Sequence, residues 1–385
     1  MLKRIFNRAL PQYGSTYLNI LPRLFTGAKI ADKYISAFSV AGKLLICYFW
    51  RPPQKRQQGM RNLYPLKFTP VYKEKVWGGH RIKSSLGKDF SPLHNCGEAW
   101  MLSGMEGDET LVKNGFLAGN SLRELTEVYM EELLGDEVFG RYDVEFPLLV
   151  KFIDSEDWLS VQVHPGQDLA ASRHGSRGKA EMWYILEAEE GAEAVMGFRP
   201  GTTRDDYLAH LESGKLPDIL NFEKVSGKDV FYNAPGTVHA LGPGILLLEI
   251  QEASDITYRI HDWDRIDAAG FRRELHTQDA LAAINFDNPP DFRINYRPKK
   301  NGVVNLLSSP WFTTNFIGLD KGLEKDYSEL DSFVILVTVS GSLTLGYGNE
   351  SIRLDKGELV LLPAVLDNIR LIPDGKAMLV ETCIR

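Results

Sequence analysis

From Leu63 onward the chain is cut into short apolar runs by Gly, Pro, Asn and Asp, as in EFPLLVKFID, MWYILEAEEGAEAVMGF, DVFYNAPGTVHALGPGILLLEIQ and ITYRIHDW. Such runs read as strands, and many short strands with tight turns are accommodated by a sandwich or a barrel. Two stretches have a different character. NSLRELTEVYMEELLG places Ser121 and Glu124 at capping-box spacing, and GTTRDDYLAHLESGKL opens in the same way at Thr203, so both are expected to be helices inserted on a β scaffold. No strand–helix alternation and no glycine-rich phosphate loop is present, which disfavours an NAD or ATP enzyme built on a nucleotide-binding α/β domain.

After the Pro-, Asn- and Lys-rich stretch DNPPDFRINYRPKKNG, a second β unit is expected, in which Leu343 and Leu345 alternate with Thr344 and Gly346. This tail contains no His, so its expected role is to pack against the first unit rather than to repeat a metal site. The fold class is therefore mainly β. Three regions are expected: a basic and apolar extension over residues 1–60, a metal-binding catalytic region over 61–290, and a C-terminal β region over 291–385.

Charge separates the extension from the rest. The chain has a net charge of -7, yet residues 1–60 carry ten Lys or Arg against Asp32 alone. The remaining body is acidic and an unlikely nucleic-acid binder, since phosphate neutralisation needs a basic face. The extension contains YISAFSVAGKLLICYFW, 17 residues interrupted by Lys43. That is short of the ~20 apolar residues of a membrane span, and RPPQKRQQ rather than a small-residue cleavage site follows it. It is expected to be an artefact of start-site choice or a disordered extension preceding the enzyme fold, with a basic membrane-surface anchor as the alternative. No membrane association is expected of residues 61–385. Cys47, Cys96 and Cys383 show no disulfide or zinc spacing, which fits a reducing, cytoplasmic setting.

The chemistry starts from WLSVQVHPGQ. Gln162 and His164 are two apart in a strand and so point to one face, while Val161 and Val163 pack behind. This is half of a metal site, although one His on a strand can equally be a hydrogen-bonded core residue. His239, in NAPGTVHALGPG, follows a turn made by Pro235 and Gly236, and it too could simply satisfy a turn carbonyl. Glu181 leads into an apolar strand, where a buried carboxylate is costly unless a cation compensates it. Gln, His, Glu and His together offer nitrogen and oxygen donors without thiolate, a set suited to zinc and tolerant of manganese, cobalt or iron.

VQVHP, GKAEMWYIL, NAPGTVHALGPG and TYRIHDWDR, in that order, resemble the signature segments of type I phosphomannose isomerases of the short bacterial form. KEKVWGG, GEAWMLSG and FRRELHTQDAL resemble further segments of that family, and the likeness runs from about Leu63 to Arg385. It implies a cupin-type jelly roll, one Zn2+ per chain held by Gln162, His164, Glu181 and His239, and a catalytic arginine at Arg259. It also implies interconversion of mannose 6-phosphate and fructose 6-phosphate through a cis-enediolate.

A structural salt bridge of Arg259 with Asp262 or Asp264 is the competing role for that residue. Glu249, His261, Asp262 and Asp264 all remain open as the base. Lys179, Arg273 and Ser160 are the expected substrate contacts, with Arg272 as a further candidate for phosphate. The large helical domain of longer family members is missing, so closure over substrate would rest on loops and the two short helices. The alternatives are another metal-dependent cupin enzyme, such as an oxygenase or a different sugar-phosphate isomerase, and a non-catalytic sugar-phosphate sensor.

Overall fold

Strands whose two faces are both covered read as unbroken apolar runs, whereas strands with one wet face alternate. Leu148–Ser155 and Ile245–Glu252 are buried at every residue. Asn368–Pro373 alternates exposed and buried positions over its first four residues. The contrast locates a sheet that is enclosed on both faces. The computed structural model describes residues 63–266, 270–287 and 292–385. The extension expected over residues 1–60 and the boundary expected at 290/291 lie outside the described residues.

The enclosed sheet has six strands in the order Val230–Asn233, Glu181–Ala188, Ile245–Glu252, Leu148–Ser155, Glu98–Leu102 and Val71–Lys73. Facing it is a five-stranded sheet in the order Tyr258–His261, Val161–Val163, His239–Leu241, Glu193–Phe198 and Leu220–Lys224. All these pairings are antiparallel. From Glu181 to His261 the chain passes repeatedly between the two sheets, which is the winding of a jelly roll. Trp183, Ile185, Met196, Phe231 and Leu247 fill one part of the space between them.

Side chains of the six-stranded sheet that point the other way belong to a larger core. Val150, Phe152, Tyr184, Leu248 and Ile250 pack with Phe316, Phe333, Ile335 and Val380 of the second β unit. That unit has its own sheets of five and four strands within residues 302–383. The expectation that the tail packs against the first unit holds. The outer face of the five-stranded sheet is covered by Tyr207 of the helix Arg204–Glu212 and by Ala280 of Thr277–Ala283.

Both expected helices form. Ser121 and Glu124 cap Leu122–Leu134 reciprocally, and Thr203 does so with Asp206, which satisfies the N-cap N–H and one otherwise orphaned first-turn N–H of each helix.

Candidate metal centre and active site

Antiparallel register brings the site together. His239 stands opposite Gln162 on one neighbouring strand, and Arg259 stands opposite Gln162 on the other. The three side chains, with His164 two residues further on, therefore share the inward face of the five-stranded sheet. Gly236 sets up the His239 turn: it has φ +87, and its N–H donates to the His164 carbonyl at 2.9 Å. A Cβ there would lie 2.8 Å from the Ala283 carbonyl oxygen, so only glycine fits without displacement. Glu181 enters from the six-stranded sheet.

Ligand atoms of His164, Glu181 and His239 lie within 4.8 Å of one another, and all three residues are buried. His164 Nδ1 is 2.8 Å from the Ile256 carbonyl, and His239 Nδ1 is 2.9 Å from the Thr237 carbonyl. A carbonyl only accepts, so each Nδ1 carries the proton and each Nε2 presents a bare lone pair. Burial, reinforced by the Lys179 cation, pushes the His164 imidazole down to about 3, and burial lowers His239 as well. Both rings are therefore neutral at physiological pH.

These lone pairs face a carboxylate. His164 Nε2 is 3.1 Å from Glu181 Oε1, and His239 Nε2 is 3.4 Å from Oε2. The short distances are not hydrogen bonds: His164 Nε2 and Glu181 Oε2 are buried without a hydrogen-bond partner among the described residues. Burial would raise the Glu181 pKa, but the Lys179 cation, 3.1 Å from Oε1, holds it well below the usual carboxylate range. Bare nitrogens against an ionised carboxylate repel unless a cation stands among them. The residues thus fit a metal ion on their own chemistry. Gln162 Nε2 donates to His239 Nε2 at 3.3 Å, and turning its amide over would instead offer the oxygen there as a fourth metal donor.

A family model for the type I phosphomannose isomerase catalytic domain matches residues 65–199. A mannose-6-phosphate isomerase of Streptococcus mutans is 34% identical over 301 residues, 78% of this chain and 92% of that one. The chain belongs to the type I phosphomannose isomerase family. A Bacillus subtilis mannose-6-phosphate isomerase is 33% identical over 315 residues, 80% of this chain and 95% of that one. The crystal structure of a Bacillus subtilis mannose 6-phosphate isomerase superposes with a TM-score of 0.74 at 31% identity, over 83% of this chain and 99% of that one. The family has a cupin-type fold and is metal-dependent, and the His164, Glu181 and His239 cluster of this chain offers ligands for a metal ion.

Around the cluster, this isomerase-family chain places the other expected residues unevenly. Lys179 is buried beside Glu181. Ser160 is buried two residues before Gln162. The Arg259 backbone N–H donates to His276 Nδ1 at 3.1 Å, its Nη1 donates to the Glu274 carbonyl at 2.8 Å, and its buried Nε has no partner among the described residues. Asp262 and Asp264 are engaged elsewhere. Asp262 is gripped by both Nε (2.7 Å) and Nη2 of Arg273, and Asp264 pairs with Arg272. The salt bridge considered for Arg259 therefore does not form.

One residue escaped the sequence reading. Lys151, on the inward face of the six-stranded sheet, lies 3.1 Å from Glu249 and 2.7 Å from Gln251 Oε1. Burial works against its charge, but Glu249, Glu98 and Glu181 outweigh it and raise its pKa. Glu249 also accepts from Trp183 Nε1 at 3.0 Å, and burial together with the Glu181 charge raises its pKa. The available signal was a lysine inside the wholly apolar run LLVKFI, a position that a charged residue occupies only with buried partners.

Proposed function

We propose that the protein interconverts mannose 6-phosphate and fructose 6-phosphate by moving a proton between C1 and C2 through a cis-enediolate. The observation that carries this reading is the meeting of two bare imidazole nitrogens with the buried Glu181 carboxylate, next to Arg259, in a member of this family. Gln162, His164, Glu181 and His239 would hold one Zn2+; the donor set also tolerates manganese, cobalt or iron. The metal, when bound, supplies Lewis-acid stabilisation of negative charge on the substrate oxygens.

The protein's own side chains do the remaining work. Arg259, fixed by the Glu274 carbonyl and by His276, offers a permanent cation to the developing oxyanion. Glu249 is the favoured proton carrier. Its raised pKa stands against the lowered one of Glu181, and two buried carboxyls driven apart in this way suit opposite protonation states. Asp262 and Asp264 are committed to arginines, and His261 packs its ring against Trp263 with centroids 5.0 Å apart. Lys179, Ser160 and Arg273 are the proposed substrate contacts. Arg273 would share its guanidinium between Asp262 and a phosphate.

In this scheme residues 61–290 carry catalysis, and residues 291–385 back the catalytic sheet. The substrate is a small sugar phosphate rather than a nucleic acid. Among the described residues no helix is long and apolar enough to cross a membrane. The buried free thiols Cys96 and Cys383 suit a reducing, cytoplasmic setting.

The test is a coupled assay of fructose 6-phosphate formed from mannose 6-phosphate, on purified protein before and after chelation and with zinc restored. Turnover lost on chelation and regained with zinc is expected. No turnover in folded, fully metallated protein would overturn the reading.

A further inference from the structure

On the opposite side of the six-stranded sheet from the metal-binding residues lies a cavity of about 440 Å3. Met101 lines it, whereas its neighbour Trp100, with a ring centroid 5.2 Å from Lys151 Nζ, faces the catalytic side. Phe68, Met101 and Leu359 form an apolar wall, and Lys67, Lys88 and Lys113 contribute three cations.

The backbone places Lys67 and Lys113 together. The Lys113 N–H donates to the Lys67 carbonyl at 2.7 Å, beside the paired residues Phe68 and Val112. Gly87, at φ +65, follows the helix Arg81–Ser84 and leads the chain into Lys88.

The charges around the cavity do not cancel. Lys67 pairs with Glu358 at 2.8 Å. The other charged groups lining it are satisfied by partners that do not line it: Asp89 by Lys83, Asp355 by Arg353 and Lys356 by Glu187. Neither Lys88 nor Lys113 has an ion-pair partner among the described residues. Burial lowers the Lys88 pKa, Glu358 and more weakly Asp355 oppose this, and Lys113 and Lys67 add to it. Two ammonium groups without an ion-pair partner among the described residues, beside an apolar wall, match a small molecule with a doubly charged anionic head and an apolar body.

We propose that this cavity is a second binding site, for a small phosphate monoester whose dianionic group sits between Lys88 and Lys113 and whose body lies on Phe68, Met101 and Leu359. It is independent of the isomerase reading. Because Leu359 comes from the C-terminal β unit and Lys88 and Lys113 from the first, occupancy tightens the junction between the two.

The metal-loaded full chain, with Lys88→Met/Lys113→Met and Lys88→Arg/Lys113→Arg variants, would be titrated calorimetrically with inorganic phosphate and with phenyl phosphate. Wild type is expected to bind one more phenyl phosphate per chain than the double Met variant, and the double Arg variant is expected to keep that site. Mannose 6-phosphate turnover should change less than about twofold in either variant. Equal stoichiometry in wild type and the double Met variant would overturn the proposal. Should the double variant not fold, Lys113→Met alone, at an exposed position, is expected to weaken the extra site about tenfold; unchanged affinity would overturn it. Phenyl phosphate binding at least about tenfold tighter than inorganic phosphate supports a phosphate ester as the occupant. Equal affinities would identify free phosphate as the occupant and overturn the assignment of the apolar wall.

Discussion

Glu181 and Glu381 lie on strands of different β units, both buried and both pointing into the interior of a sandwich. Their neighbours differ in kind. Glu381 accepts from Tyr327 Oη at 2.6 Å and Asn315 Nδ2 at 2.9 Å, and pairs with Lys325 at 2.8 Å, so every close partner is a donor. Glu181 has one donor, Lys179, and otherwise faces two bare imidazole nitrogens. A buried acid enclosed by donors completes a structure, whereas one facing lone pairs still requires a cation. Glu252 is a third case. It accepts from the Ala180 N–H at 2.9 Å and from Gln167 Nε2 at 2.6 Å, has no ion-pair partner among the described residues, and is pushed up to about 7 by burial.

The contrast fails most visibly if the lone pairs at Glu181 are not metal ligands. His239→Ala should lower bound metal, measured by elemental analysis, and turnover together, with activity falling to about 1% or less. Stoichiometric metal in that variant would remove His239 from the ligand set. Arg259→Ala sharpens the division between holding the metal and using it: metal content should persist while kcat drops roughly 100-fold. Near-normal turnover would demote Arg259 to a structural residue.

On the structural side, Glu381→Ala leaves Lys325 without its partner and should cost about 3 kcal/mol in urea unfolding. The specific activity of the folded fraction should hold, and a selective loss of turnover would erase the distinction between the two glutamates. Glu252 gives the effect that is smallest at any one pH step. Its folded pKa of about 7 lies above the ordinary value of 4.5, so its stabilising contribution is complete below about pH 4.5 and is lost as pH rises towards 7. Relative to wild type, Glu252→Gln should therefore gain up to about 1.4 kcal/mol per pH unit across that window. A pH-independent difference would mean that Glu252 is ionised in the fold.

These three glutamates also mark how far the sequence alone reaches. AEMWYIL and VETCIR each set an acid against apolar residues, and nothing local says which acid meets donors. Gln162 and His164 were legible because strand periodicity is a local property. The pairing of His239 with Gln162 joins residues far apart in the chain through register, and there the family resemblance supplied what periodicity could not. The β class and both capping boxes were legible for the same local reason. Lys151 was missed because its partners Glu249 and Gln251 come from another strand, and the anchoring of Arg259 by His276 and Glu274 depends on a loop whose path the sequence does not dictate.

The two-faced sheet bears on how the protein can be taken apart. Its far side, with Val150, Phe152, Leu248 and Ile250, is sealed by the C-terminal strands, and burial of each such side chain is worth about 2 kcal/mol. A gene fragment stopping near codon 290 would retain every proposed ligand yet expose that side to water. Its product belongs in inclusion bodies, so for expression and crystallisation the smallest useful unit runs on to the last strand.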